Sequence, residues 1–528
     1  MESMFELFTA PNGLWDLFVA AAWRASIIFI VTFFLVQLFG YLYSAIRSDL
    51  RQVPGPLAAK FTQLWRVWRL WSGDALNEYP RIHARYGKIV RTAPNVISVA
   101  DVDMIPVIYG IGSKYQKSNF YDTMIPVIDG RVSHSTFSVK DPLQHQILKR
   151  PVSQKYSMTS IRSMEHLVEE CIDIFMDAMN DLAGTPIDLG EWLHWYAFDV
   201  IGAITFNRRF GFMEHRADYE QMIAGGRFSL WYAGIIGLVP GAHKWLLGQY
   251  WFRVLLGLFQ PGGHDPVLTI ARVSSALSIT DYDSREANTQ KTRTDFLAYL
   301  RQTKDNGQPL SDHMIKNHLS NNLLAGSDTT AISLRAVIYY LLKTPRSLKK
   351  LQAEIDEAEG NLQLSKHVSY EESLQLPYLQ ACLKEAMRMH PGVGYPLERY
   401  IPPGGAEISG FRLPGGTVVG IAPSSIHQLK SIYGEDAHQF RPERWIENQP
   451  EQIKVMDRCL LTFGYGARTC LGKNVSIMEM GKLVPEILRH FDLEWASAEP
   501  DWKVETWWMA RQSGLIVKLI TRDRRPVP

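Results

Sequence analysis

Three features of this 528-residue chain predict a mainly helical fold with a small β portion, preceded by a single N-terminal transmembrane helix. Helical periodicity dominates its middle, as in SMEHLVEECIDIFMDAMNDLAG and SLKKLQAEIDEAEG, where apolar residues recur every three or four positions. Extended stretches such as GKIVRTAPNVISVAD and GLIVKLITR are fewer and lie towards the two ends. The third feature is residues 25–46, ASIIFIVTFFLVQLFGYLYSAI, which carry no charge. About 20 such residues span a bilayer as a helix.

In chain order, the apolar segment comes first. A cleaved signal peptide would have a shorter apolar run with a small-residue cleavage site soon after, so an uncleaved anchor is the reading. Glu2, Glu6 and Asp16 precede it and Arg47, Arg51 and Lys60 follow, with Arg24 on the outer flank. That bias puts the bulk of the chain on the cytosolic side. Pro54 and Pro56 in QVPGPLAAKF then turn the chain stiffly away. Residues 1–52 are thus an anchor and 53–528 one large catalytic unit. The polar stretch 278–295 is expected to join two helices of that unit.

Composition narrows the function classes. A hydrophobic share of 46% suits a large core, and a net charge of +2 gives no ground for nucleic-acid binding. The four cysteines, Cys171, Cys382, Cys459 and Cys470, form no CxxC pair and no secretory disulfide framework.

Cys470 belongs to a denser pattern. Phe463, Gly466, Arg468, Cys470 and Gly472 read F-x-x-G-x-R-x-C-x-G, a chance match on the order of 10⁻⁴ in such a chain. Gly464 and Gly466 permit a tight turn whose N–H groups can face the sulfur. The following LGKNVSIMEMGKLVPEILRHF is amphipathic with helical period, placing Cys470 before a helix amino terminus. Such a setting, with a cation nearby, lowers a thiol pKa and suits a thiolate that binds iron.

This segment resembles the haem-binding signature of the cytochrome P-450 family, and three further motifs extend the resemblance to nearly everything after residue 53. It implies haem b with Cys470 as axial iron ligand, a thiolate that favours O–O cleavage. LLAGSDTTAISL (323–334) resembles the family's distal helix. There a local distortion opens room for dioxygen, Ala325 and Gly326 stay small, and Asp328 and Thr329 manage proton delivery. KEAMRMHP and FRPERW supply Glu385, Arg388 and Arg444, which resemble the buried cluster bracing the proximal side. Arg468, Arg399, and the pair His145 and Lys149 match positions that hold the haem propionates, with Lys149 standing where arginine is commoner.

The family also implies substrate contacts from 118–130, 227–240, 391–397 and 506–512, all poor in charge and suited to a lipophilic molecule. The apolar run 228–259 reads equally as helix packing or as a membrane-surface segment. DPLQHQILKRPVSQKYS and HPGVGYPLERYIPPGG look most like the pisatin-demethylase-like group of fungal secondary metabolism. The expected activity is O2-dependent monooxygenation at the endoplasmic reticulum membrane. Electrons would come from NADPH through a separate reductase, with cytochrome b5 as a possible second donor. The rivals are a haem-thiolate isomerase or dehydratase working without O2, and a non-catalytic haem or lipid binder.

Overall fold

The computed structural model describes residues 13–46, 48–128, 131–248, 272–277 and 293–522. Nine helices organise it: α1 (Gly13–Ile46), α2 (Pro142–Ser153), α3 (Glu165–Asp181), α4 (Leu189–Phe206), α5 (Met222–Ile236), α6 (Asp312–Lys343), α7 (Pro345–Gly360), α8 (Pro377–Met389) and α9 (Lys473–His490). Their starts follow side-chain chemistry. Asp141, Asp188 and Ser311 cap α2, α4 and α6 by accepting the N–H of Gln144, Glu191 and Met314. Pro345 and Pro377 open α7 and α8, where a missing N–H costs nothing.

The core is built around α6. Leu319, Leu323, Leu334 and Val337 pack in one cluster with Leu193 and Val200 of α4, Leu379 and Leu383 of α8, and Met478 and Leu483 of α9. Helix α4 is apolar on nearly every side and is buried accordingly. A second cluster lies under a five-stranded sheet whose spatial order is Ile89–Ala93, Val96–Val99, Val418–Gly420, Arg399–Tyr400 and Gln116–Lys117. The last pairing is antiparallel and sets Lys117 directly across from Arg399. A hairpin, Lys503–Trp507 paired with Met509–Ser513, turns at Trp508 with φ +73°. Gln512 ties that hairpin to α6 by donating to the Ile332 carbonyl at 2.9 Å.

The mainly helical expectation with a minor β portion holds. The amino-terminal anchor is different. Residues 25–46 do lie in one helix, α1, and its described side chains from residue 21 to 43 are all exposed. Yet among the described residues no helix is long and apolar enough to cross a membrane. Several α1 side chains, Phe29 and Phe33 among them, are outside the description, which shortens the continuous apolar run. The 278–295 connection lies mostly outside the described residues as well.

Candidate active site

The cysteine segment is a turn held by backbone bonds. Gly464 and Gly466 take φ +71° and +65°, a region costly for other residues. The Cys470 N–H donates to the Phe463 carbonyl at 2.8 Å and that of Thr469 to Gly466 at 3.1 Å. A Cβ on Gly466 would lie 2.0 Å from the Tyr109 carbonyl oxygen. Gly466→Ala is therefore expected to lower stability by about 1–3 kcal/mol, measured as a drop in melting temperature together with reduced haem retention.

The Cys470 side chain is exposed in the sense of facing open space, yet it is closely surrounded by protein atoms, as at the wall of an internal hollow. Helix α9 begins at Lys473, three residues on. The sulfur accepts the N–H groups of Gly472 and Lys473 rather than those of the glycine turn before it. The expected lowering of its pKa is not found. Burial pushes the thiol up, and the two N–H groups and the Lys473 ammonium only partly offset it. A metal cation facing the sulfur would reverse that balance, since a coordinating thiol loses its proton outright.

Helix α6 shows where the space is. It is buried at most positions from Ser327 to Leu341, but Leu324 is 39% exposed, and Ala325 is exposed beside it. An exposed face on a core helix marks an internal hollow. The helix runs unbroken through this region, so the expected distortion is absent as a break. Instead the Thr329 hydroxyl donates to the Ala325 carbonyl at 2.7 Å and that of Ser327 to Leu323 at 2.8 Å, back-bonds that bend helices slightly. Gly326 also has no room for a side chain towards α4. A Cβ there would meet Ile201 Cδ1 of α4 at 2.6 Å.

Asp328 is buried and lies 2.7 Å from His194 Nε2 of α4. Burial raises the carboxyl, but His194, Arg511 and Arg335 more than offset it and leave it below its ordinary value. Burial lowers His194 to about 4, against the pull of Asp328. At neutral pH the pair is a carboxylate beside a neutral imidazole. Arg511 Nη2 approaches His194 Nδ1 at 3.5 Å, which favours the tautomer with its proton on Nε2, towards Asp328. Sequence reasoning missed His194, because a lone histidine on an apolar helix carries no sign of a distant partner.

Three cations meet in one cluster, Lys117 and Arg399 buried and Arg468 partly so. Arg399 donates to the Glu398 carbonyl at 2.8 Å, and Arg468 donates to the Val139 and Lys140 carbonyls at 2.8 and 3.1 Å. Lys117 donates to the Phe137 carbonyl and lies 4.1 Å from the Tyr121 ring centre. Among the described residues none of the three has a carboxylate partner. Burial, then Arg399 and Arg468, drives Lys117 well below its ordinary pKa. Burial, then Arg399, brings Arg468 to about 10. His145, buried next to this group, is lowered to about 4 by burial and by Arg468, Lys149 and Lys117. Lys149 donates to the Ala467 carbonyl at 3.2 Å, in the cysteine turn. Like charges directly across a strand pair are destabilising, so the cluster is suited to a ligand with more than one negative charge. Lys117 was not legible in the sequence, since its two-residue strand leaves no periodic signal.

Glu385 joins the expected brace. It accepts from Arg388 at 2.8 and 2.9 Å, from Arg444 at 2.9 Å and from Trp445 Nε1 at 2.9 Å, all fully buried or nearly so. His427, also missed in the sequence, links the brace to the cysteine segment. Its Nδ1–H donates to the Arg388 carbonyl at 3.0 Å, and its Nε2 accepts the Leu461 N–H at 2.9 Å. Burial lowers His427 to about 3. It stays neutral in the folded state while the unfolded chain takes a proton below pH about 6.5. Its contribution is therefore complete above that value and declines as pH falls from there towards 3. Thermal unfolding from pH 7.5 to 5 should show falling stability, with His427→Gln losing about 1.4 kcal/mol per pH unit of the slope.

All four expected substrate-contacting stretches come together. Phe120, Leu238, Tyr395 and Trp508 share one buried cluster, with the Phe120 and Trp508 rings 5.1 Å apart. A cysteine sulfur, an exposed helix face and an unneutralised cation cluster fit an iron porphyrin bearing two carboxylates.

Comparison with known proteins agrees. The family model described as cytochrome P450 matches residues 60–519. Cytochrome P450 monooxygenase cicH of Emericella nidulans is 36% identical over 93% of this chain and 98% of its own length. Pisatin demethylase of Fusarium vanettenii is 33% identical over 91% of this chain and 92% of its own. A cytochrome P450 monooxygenase of Aspergillus terreus is 35% identical over 87% of this chain and 94% of its own. With the family match running through both the cysteine turn and the open face of α6, this chain belongs to the cytochrome P450 family and is a monooxygenase of it.

Proposed function

We propose that this enzyme inserts one oxygen atom from O2 into a lipophilic secondary metabolite, with electrons from NADPH delivered by a separate reductase. The observation that carries this reading is the open face of α6, where Leu324 and Ala325 are exposed and Thr329 partly so. Behind it the Asp328 carboxylate lies 2.7 Å from His194 and is held below its ordinary pKa. Haem b, bound through the Cys470 thiolate, supplies the oxygen-activating chemistry. Arg399, Arg468 and Lys117 hold its propionates, with His145 and Lys149 beside them. Phe463 fixes the cysteine turn through its carbonyl, and Gly466 and Gly472 leave room around it. Asp328 shuttles protons from the His194 side, and Thr329 presents its hydroxyl to the hollow. A proton-handling pair of this kind has no use in an O2-independent rearrangement, which favours monooxygenation over the isomerase reading.

The exposed Lys454, Arg458 and Lys473 on and beside the helix leading into the cysteine turn offer a basic surface to an acidic electron donor. Residues 1–52 anchor the catalytic domain, residues 53–528, in the endoplasmic reticulum membrane. In support, Val31, Leu35 and Phe39 of α1 are half or more exposed, as are Leu64, Trp68 and Trp71 beyond it.

The test is turnover of a producing strain's metabolite extract with reductase, NADPH and ¹⁸O2. One ¹⁸O atom per product is expected, and product formed without reductase would sink the reading. Asp328→Asn, which cannot carry a proton, is expected to slow oxygenation by roughly 10²-fold while leaving the thiolate-type spectrum unchanged.

A further inference from the structure

A cleft of about 730 Å³ opens between α4, α5 and the 503–513 hairpin. Its lining includes none of the residues assigned to the haem, but it draws Arg227, Phe228, Trp231, Trp507 and Arg511 from two of the stretches expected to contact substrate, so the inference rests on that reading of the site. The cleft's size is that of a small-molecule site. Trp195, Phe228 and Trp231 form aromatic walls, and the Phe228 and Trp231 rings are 6.0 Å apart. Two lining donors, Arg511 Nη1 and Trp507 Nε1, meet no acceptor among the described residues. Buried donors without partners are costly.

The charges around the cleft are largely met, but not all of its donors are bonded. Arg227 is neutralised by Glu505 at 3.0 Å, and the Asp218 carboxylate accepts the N–H groups of Ile223 and Ala224. Arg216 lies over the Trp192 ring at 5.6 Å, and neither it nor Arg511 has a carboxylate in ion-pair range among the described residues. Glu191 and Asp218 line the cleft and feel the charge of Arg511 without bonding to it. What the cleft leaves open to a ligand is therefore the pair of unpartnered donors, Arg511 Nη1 and Trp507 Nε1.

We infer that this cleft binds a planar aromatic carboxylate, stacked on the tryptophans with its charge on Arg511 and the Trp507 N–H. A carboxylate matches the guanidinium fork, and a planar ring matches the aromatic walls. Because Arg511 also reaches His194, such a ligand sits next to the pair that holds Asp328.

The test titrates the haem-loaded full chain with 2-naphthoate by calorimetry while the Soret band is followed in parallel. One equivalent should bind without moving the Soret band, roughly tenfold tighter than naphthalene-2-carboxamide. Arg511→Gln should weaken binding by roughly tenfold or more and Trp507→Phe by a few-fold. Arg216→Gln, at an exposed position, should weaken it without any risk to folding. Equal affinity for the carboxamide, no saturable binding, or indifference to all three substitutions would overturn the inference. So would a Soret shift with the calorimetric midpoint, which would place the ligand over the haem instead.

Discussion

Cys470→Ala is expected to abolish oxygenation, by on the order of 10³-fold or more, with little change in the fold of the protein. The side chain contributes no bond to the frame except as an acceptor for two N–H groups at the start of α9. The bond that shapes the turn, from the Cys470 N–H to the Phe463 carbonyl, belongs to the backbone and survives the substitution. Loss should therefore appear in the iron spectrum first. Reduced, carbon-monoxide-bound wild type should show the red-shifted Soret band of a thiolate ligand, and the variant should lack it. Thermal unfolding of the two proteins without haem should nearly coincide. Survival of the shifted band in Cys470→Ala would remove this residue as the ligand.

Glu385→Gln has the largest expected effect on stability. Arg388 and Arg444 are both fully buried and share this one carboxylate, with Asp436 as a second partner for Arg444. Burial alone would raise the Glu385 carboxyl, but the two guanidinium groups outweigh it and hold it below its ordinary value. Removing the charge strands Arg388 in the core and leaves Arg444 with Asp436 alone, at a cost of about 3–5 kcal/mol. The cysteine turn should loosen as well, because Arg388 reaches it through His427 and Leu461. Differential scanning of the variant should show a melting temperature lower by roughly 3–5 °C, and haem should be lost before the protein unfolds. A shift of only a degree or two would mean that the brace contributes little to this fold. The carboxylate's contribution is present above its ordinary titration range, so acid should weaken wild type more than the variant.

Legibility in the sequence followed spacing. The cysteine turn was readable because its five residues occupy ten consecutive positions, and Glu385 and Arg388 because they are one helical turn apart. The four substrate-contacting stretches were readable only through family resemblance, since aromatic residues in any core look alike. At Gly326 the structure adds a constraint that no local pattern encodes, the close approach of Ile201 of α4. The pKa of Cys470 went the other way from expectation because the protein atoms that the fold crowds around the sulfur disfavour its charged form.

From the sequence alone came the mainly helical class, the apolar amino-terminal segment and the cysteine pattern, since each is written in local order and short-range chemistry, while the residues of the brace came together through the family resemblance. The tertiary structure alone decided which groups face one another: Lys117 across from Arg399, His194 against Asp328, and His427 between the brace and the cysteine turn. Those pairings join segments far apart along the chain. Packing brings them within a few ångströms, and only at that range do charge and hydrogen bonding determine which groups hold protons and which need a partner.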